Sequence, residues 1–127
     1  MPLVHHELCF GCGRTNLFGL MLEAEHAAPD TVTGRCFIKQ DHQGADLGSA
    51  HDGVLAAALS EAMALVCGLD ARPTQIEVRY LSVAPVGTFV AVQAQVHSDS
   101  QDTISASAIA TVDERKIATA AGTYRLG

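Results

Sequence analysis

Two stretches of this chain carry residues whose types and spacing suit chemistry. The first is His51-Asp52-Gly53, which runs into an apolar segment bearing Ser60 and Glu61. A turn that opens a helix leaves its first N–H groups without intrahelical partners, at the positive end of the helix dipole. Such a cradle suits a carbonyl oxygen that becomes anionic during acyl transfer. Asp52 reads as the helix N-cap; beside an oxyanion its charge would be repulsive. Helical spacing places Glu61 near Val54, Ala57 and Leu65, where a carboxylate needs a partner. Glu61 is then either a general base that activates water or a structural carboxylate held by an arginine such as Arg72 or Arg79. Ser60 as a nucleophile needs a base within hydrogen-bond reach. His51 is about two and a half turns away on the same helix, so Ser60 reads as a spectator or a water-orienting group unless a second chain supplies the base.

The second stretch is Cys9-x-x-Cys12, just after His5-His6. Thiolates and imidazole suit zinc. No second paired motif follows, however, and Cys36 and Cys67 stand alone. A redox pair would be expected after a strand, at a helix start. The expectation is a packed turn, with no metal and no cofactor.

These residues need elements to hold them. Residues 1–19, punctuated by Gly11, Gly13, Asn16 and Gly19, form a loop segment. Residues 20–27 and 31–39 flank Ala28-Pro29-Asp30 and predict a hairpin. The only long helical pattern is 51–68, with Gly68 as C-cap and Pro73 beyond it. Alternation then predicts strands at 74–82, 89–97, 103–112 and 115–126, with Ile76, Val78 and Tyr80 on one face of the first. One helix and about six strands give an α+β domain over 1–127, in which an antiparallel sheet wraps a long central helix.

The bulk properties narrow the function. A length of 127 residues suits one modest core, built from aliphatic residues because there are six aromatics and no Trp. The formal charge of −6 and the scattered basic residues argue against a nucleic-acid or membrane surface. The N-terminus lacks a signal-peptide pattern, no apolar run is long enough to span a membrane, and four Cys without an export signal read as reduced thiols. A cytoplasmic protein is expected.

Four passages together resemble the hotdog-fold acyl-CoA thioesterases, particularly the small PaaI-like proteins. They are Cys9-Phe10-Gly11-Cys12-Gly13-Arg14-Thr15-Asn16-Leu17-Phe18-Gly19-Leu20, His42-Gln43-Gly44 with Gly48 and His51-Asp52-Gly53-Val54-Leu55-Ala56, Ser60-Glu61-Ala62-Met63, and the strand-plus-turn Ile76–Gly87. The resemblance implies a hotdog fold and hydrolysis of an acyl-CoA-type thioester. It implies the Gly53 N–H as oxyanion donor, His51 shaping the site, and His42 and Gln43 on the substrate side. The family commonly carries its catalytic carboxylate nine residues after the helix-start His. Here that position is Ser60, and the carboxylate stands one residue on, at Glu61. Asp52 replaces the middle glycine of His-Gly-Gly. Arg72 and Arg79 are candidates to meet the CoA phosphates. A homodimer or homotetramer with interfacial sites is expected. The alternative is a non-hydrolytic acyl-thioester binding protein that keeps the pocket without a base at position 60.

Overall fold

The computed structural model describes residues 2–127. Strands β1 (Glu23–Ala28) and β2 (Thr31–Phe37) form the first hairpin, followed by a 3-10 turn at Gln40–His42. The helix α1 (Asp52–Cys67) comes next, then β3 (Arg72–Tyr80), β4 (Phe89–Ser100), β5 (Thr103–Val112) and β6 (Arg115–Arg125). All neighbours pair antiparallel in one six-stranded sheet, in the order β1-β2-β4-β5-β6-β3.

The helix lies mainly across β4 and β5, the middle of that order. Leu55, Ala58, Leu59, Ala62, Met63, Leu65 and Val66 are buried against Val90, Val92, Ala94, Ala106, Ala108 and Ala110. Alanine on both surfaces lets helix and sheet backbones approach closely, so a core without Trp still closes. Gly68 caps the helix as expected, with φ of 141° and its N–H donating to the Ala64 carbonyl at 3.0 Å.

Two features add to the sequence pattern. β3 alternates in sequence, yet nearly all of it is exposed, with Ile76 and Tyr80 accessible to 38% and 45%. It is the last strand of the sheet, at the margin of the helix's cover, so only Val78 of its apolar face packs against the core, while Tyr80 reaches the helix start through its hydroxyl. The N-terminal loop segment is also more ordered than its glycines suggest. Gly13 N–H donates to the Cys9 carbonyl at 2.8 Å, Thr15 N–H to that of Glu7 at 3.0 Å, and Leu20 N–H to that of Phe10 at 2.7 Å. Leu22 N–H reaches the Gly11 carbonyl at 2.8 Å, and Cys12, Leu20 and Leu22 are buried. The result is a folded knuckle packed onto the helix, with Cys9 and Cys12 at its centre. A Cβ at Gly13 would meet the Cys9 backbone nitrogen at 2.6 Å, so the knuckle requires glycine there.

Candidate functional site

The helix start is capped one residue earlier than its sequence suggests. His51 is the N-cap, with extended backbone, and its Nδ1 accepts from Gly53 N–H at 2.7 Å. Asp52 is therefore the first helical residue, where its charge complements the dipole. The same bond fixes the imidazole: Nδ1 accepts, so the neutral ring carries its proton on Nε2. Within one protomer the Gly53 N–H is thus occupied, and the exposed ring of His51 offers Nε2–H in its place. Sequence reasoning missed Tyr80, whose hydroxyl donates to the Asp52 carbonyl at 2.8 Å. Burial, then the Asp52 charge, raises the Tyr80 pKa and keeps it a donor. Asp52, Ser49, Leu55, Tyr80 and Leu81 line a pocket of about 300 Å³ here.

His42 and Gln43 do not face that pocket. His42 is 2% exposed, and its Nδ1 accepts from Lys39 N–H at 3.1 Å. Burial lowers its pKa, and Nε2 makes no hydrogen bond of good geometry. Gln43 braces the approach loop through Gly48 N–H (2.7 Å) and the Gln40 carbonyl (3.1 Å). Both build the loop that delivers the helix start.

Ser60 and Glu61 point to different surroundings. The Tyr124 hydroxyl, fully buried on β6, donates to the Ser60 carbonyl at 3.0 Å, and Ser60 Oγ lies 3.2 Å from the same phenol oxygen. With the phenol proton directed at the carbonyl, the Ser60 hydroxyl donates to Tyr124. Burial is the main cause that pushes the Tyr124 pKa up to about 12, which excludes it as a base for Ser60. No base reaches Ser60 among the described residues.

Glu61 is held by neither Arg72 nor Arg79. Its Oε2 sits 2.8 Å from His5 Nδ1, with side-chain exposures of 13% and 15%. Arg72 gives Nη1 to the Ala71 carbonyl at 3.0 Å, and Arg79 is exposed further along β3. The N-terminal knuckle thus reaches α1 at its one carboxylate beyond the first turn. Cys9 Sγ is 3.5 Å from Glu61 Oε2 and 3.7 Å from His5 Nδ1, and Cys12 Sγ is 3.4 Å from His5 Nδ1. All four donor atoms lie within 4.8 Å of one another. Burial, then the hydrogen bond to Glu61, raises the Cys12 pKa. A cleft of about 610 Å³ opens beside this group, lined by His5, Cys9, Ser60, Glu61, Asp70 and Arg72. The contact between His5 and Glu61 spans 56 residues, so no local spacing announced it.

No protein-family model matches the chain, and no curated protein does. Solved structures match over most of it. Zebra fish thioesterase superfamily member 2 is 20% identical, over 84% of this chain and 81% of that one, with a TM-score of 0.75. A hypothetical thioesterase protein from Streptococcus pneumoniae TIGR4, solved with coenzyme A, is 18% identical over 83% and 87%, with a TM-score of 0.75. The E. coli PaaI protein from the phenylacetic acid degradation operon is 17% identical over 82% of each chain, also at 0.75. The chain has the hotdog fold shared by these thioesterase-superfamily structures. Among the described residues, no helix is long and apolar enough to cross a membrane.

Proposed function

We propose that this protein hydrolyses an acyl-CoA-type thioester, with Glu61 as the general base that activates water. The observation that carries this reading is the pair Glu61–His5 at 2.8 Å on the wall of an open cleft. The imidazole orients the carboxylate, and the cleft admits both water and an acyl group. The similar fold of a thioesterase solved with coenzyme A supports the substrate class.

The geometry favours a site shared by two copies. Gly53 and Glu61 are eight residues apart on one helix, about 12 Å of rise, too far for both to touch one carbonyl. A two-fold dimer can bring the helix start of one chain to the Glu61 cleft of its partner. β3 ends the sheet with an uncovered backbone edge, which suits pairing with a second chain. The thioester carbonyl would then meet His51 Nε2–H and the positive end of α1. Arg72 and Arg79 on β3 would meet the CoA phosphates.

A second reading rests on Ser60. Its hydroxyl is spent on Tyr124, at the position where the resembled family keeps a carboxylate. That arrangement favours a protein that holds the thioester without cleaving it. Free-thiol release from a panel of acyl-CoAs, with melting temperature measured in parallel, separates the two. Turnover of any member supports hydrolysis. Stabilisation by acyl-CoA without turnover refutes it and supports binding.

A further inference from the structure

The geometry points to a zinc-class metal site formed by His5 Nδ1, Cys9 Sγ, Cys12 Sγ and Glu61 Oε2, which ties the N-terminal knuckle to the middle of α1. In the sequence, Cys9-x-x-Cys12 beside His5-His6 stands without a second paired motif and predicts a packed turn. The fold supplies the fourth donor from the helix.

Convergence is the first ground. His5 Nδ1 has one proton or one lone pair in the ring plane, yet three groups approach it: Glu61 Oε2 at 2.8 Å, Cys12 Sγ at 3.4 Å and Cys9 Sγ at 3.7 Å. A single proton or lone pair at Nδ1 cannot pair with all three neighbours at once, whereas one cation among four lone pairs can engage them all. Distances are the second. Tetrahedral zinc, with bonds of about 2.3 Å to sulfur and about 2.0–2.1 Å to nitrogen or oxygen, sets donor–donor edges of about 3.3–3.8 Å. The sulfur–nitrogen and sulfur–oxygen separations of 3.4, 3.5 and 3.7 Å fall in that span. The hydrogen-bonded edge between His5 and Glu61, at 2.8 Å, would have to open, within a set whose donor atoms all lie within 4.8 Å of one another.

The surroundings are the third ground. His5 N–H donates to Cys12 Sγ at 3.2 Å, an amide placed to support a thiolate ligand. Glu61 packs so closely on Gly11 that a Cβ there would overlap its side chain. Cys12 is fully buried, Cys9 is partly so, and both are free thiols. No Lys or Arg among the described residues pairs with Glu61. Two sulfurs, one nitrogen and one oxygen select a borderline-soft ion over calcium or magnesium, which take oxygen donors. Four protein donors leave no open position, as in a structural site. Occupancy also commits the Glu61 carboxylate to the ion, so a loaded chain would lose its general base while keeping its fold and pocket.

Cobalt(II) serves as the probe. Added to the purified, chelator-treated chain, it should bind at one ion per chain, with tetrahedral bands in the visible and a thiolate-to-cobalt charge-transfer band in the near ultraviolet. Zinc should displace it and raise the melting temperature. The charge-transfer band should vanish in Cys9→Ser with Cys12→Ser and persist in Cys36→Ser with Cys67→Ser. Should the first double variant fail to fold, alkylation of the wild type followed by peptide mapping replaces it, and zinc should then protect Cys9 and Cys12 alone. Absence of a charge-transfer band in the wild type, its survival without Cys9 and Cys12, or equal alkylation with and without zinc overturns the site. These readouts do not depend on thioester turnover, so a protein that cleaves nothing can still pass them, and an active one can fail.

Discussion

Ser60 and Tyr124 are joined twice. The phenol donates to the serine carbonyl at 3.0 Å, and the serine hydroxyl sits 3.2 Å from the phenol oxygen. A hydroxyl engaged in this way holds helix to sheet. Ser60→Ala should therefore cost about 0.5–1.5 kcal/mol in urea denaturation, without the fall in turnover caused by losing Glu61. Tyr124→Phe should cost about 0.5–1.5 kcal/mol, because it removes the buried phenol's bonds to Ser60 while the Ser60 carbonyl keeps its place in the helix ladder. A collapse of turnover in Ser60→Ala with stability intact would return Ser60 to the chemistry.

Gly11 controls the approach of the knuckle to the helix. A Cβ at this position would overlap Glu61 Cγ and Cδ. Gly11→Ala should destabilise the fold by about 1–3 kcal/mol and weaken the cobalt charge-transfer band together with any thioester turnover. Unchanged denaturation and an unchanged band would show that the contact between segment and helix is looser than described.

His42 gives the fold a pH dependence of known sign. Burial lowers its folded-state pKa from 6.5. As pH falls through about 6.5 the unfolded chain takes up a proton that the folded chain does not yet accept. The unfolded state then holds more protons, so stability falls with pH below that value and is unaffected by His42 above it. His42→Gln keeps an acceptor for Lys39 N–H and should flatten this component below about pH 6.5. Identical urea midpoints versus pH in both proteins would contradict the assignment.

The proposed site takes its helix start and its Glu61 from two copies, and the open edge of β3 suits such pairing. Sedimentation should find a dimer or a larger even assembly at concentrations that support turnover. An active monomer would dismantle the shared site.

Much of this arrangement was legible in the sequence, for reasons that also mark its limits. Alternation in 103–112 identified β5 because Ile104, Ala106, Ala108 and Ala110 all face the helix. The same pattern in β3 located a strand but said nothing of cover, since Ile76, Val78 and Tyr80 read alike at the centre or the margin of a sheet. The helix start was placed within one residue, and the cap moved from Asp52 to His51 because either side chain can accept from an N–H two positions on. The tertiary pairs were not legible at all. His5 meets Glu61 across 56 residues and Ser60 meets Tyr124 across 64, and neither separation follows any local period. Cys9-x-x-Cys12 showed half of a donor set whose remainder only folding assembles.

The most direct measurement is thiol release from an acyl-CoA by the chelator-treated chain, compared with Glu61→Gln at equal concentrations of folded protein. Loss of a general base should lower turnover by about 10²–10⁴-fold, with acyl-CoA still raising the melting temperature of the variant. A Glu61→Gln protein that releases thiol at the wild-type rate would contradict the assignment of Glu61 as the base.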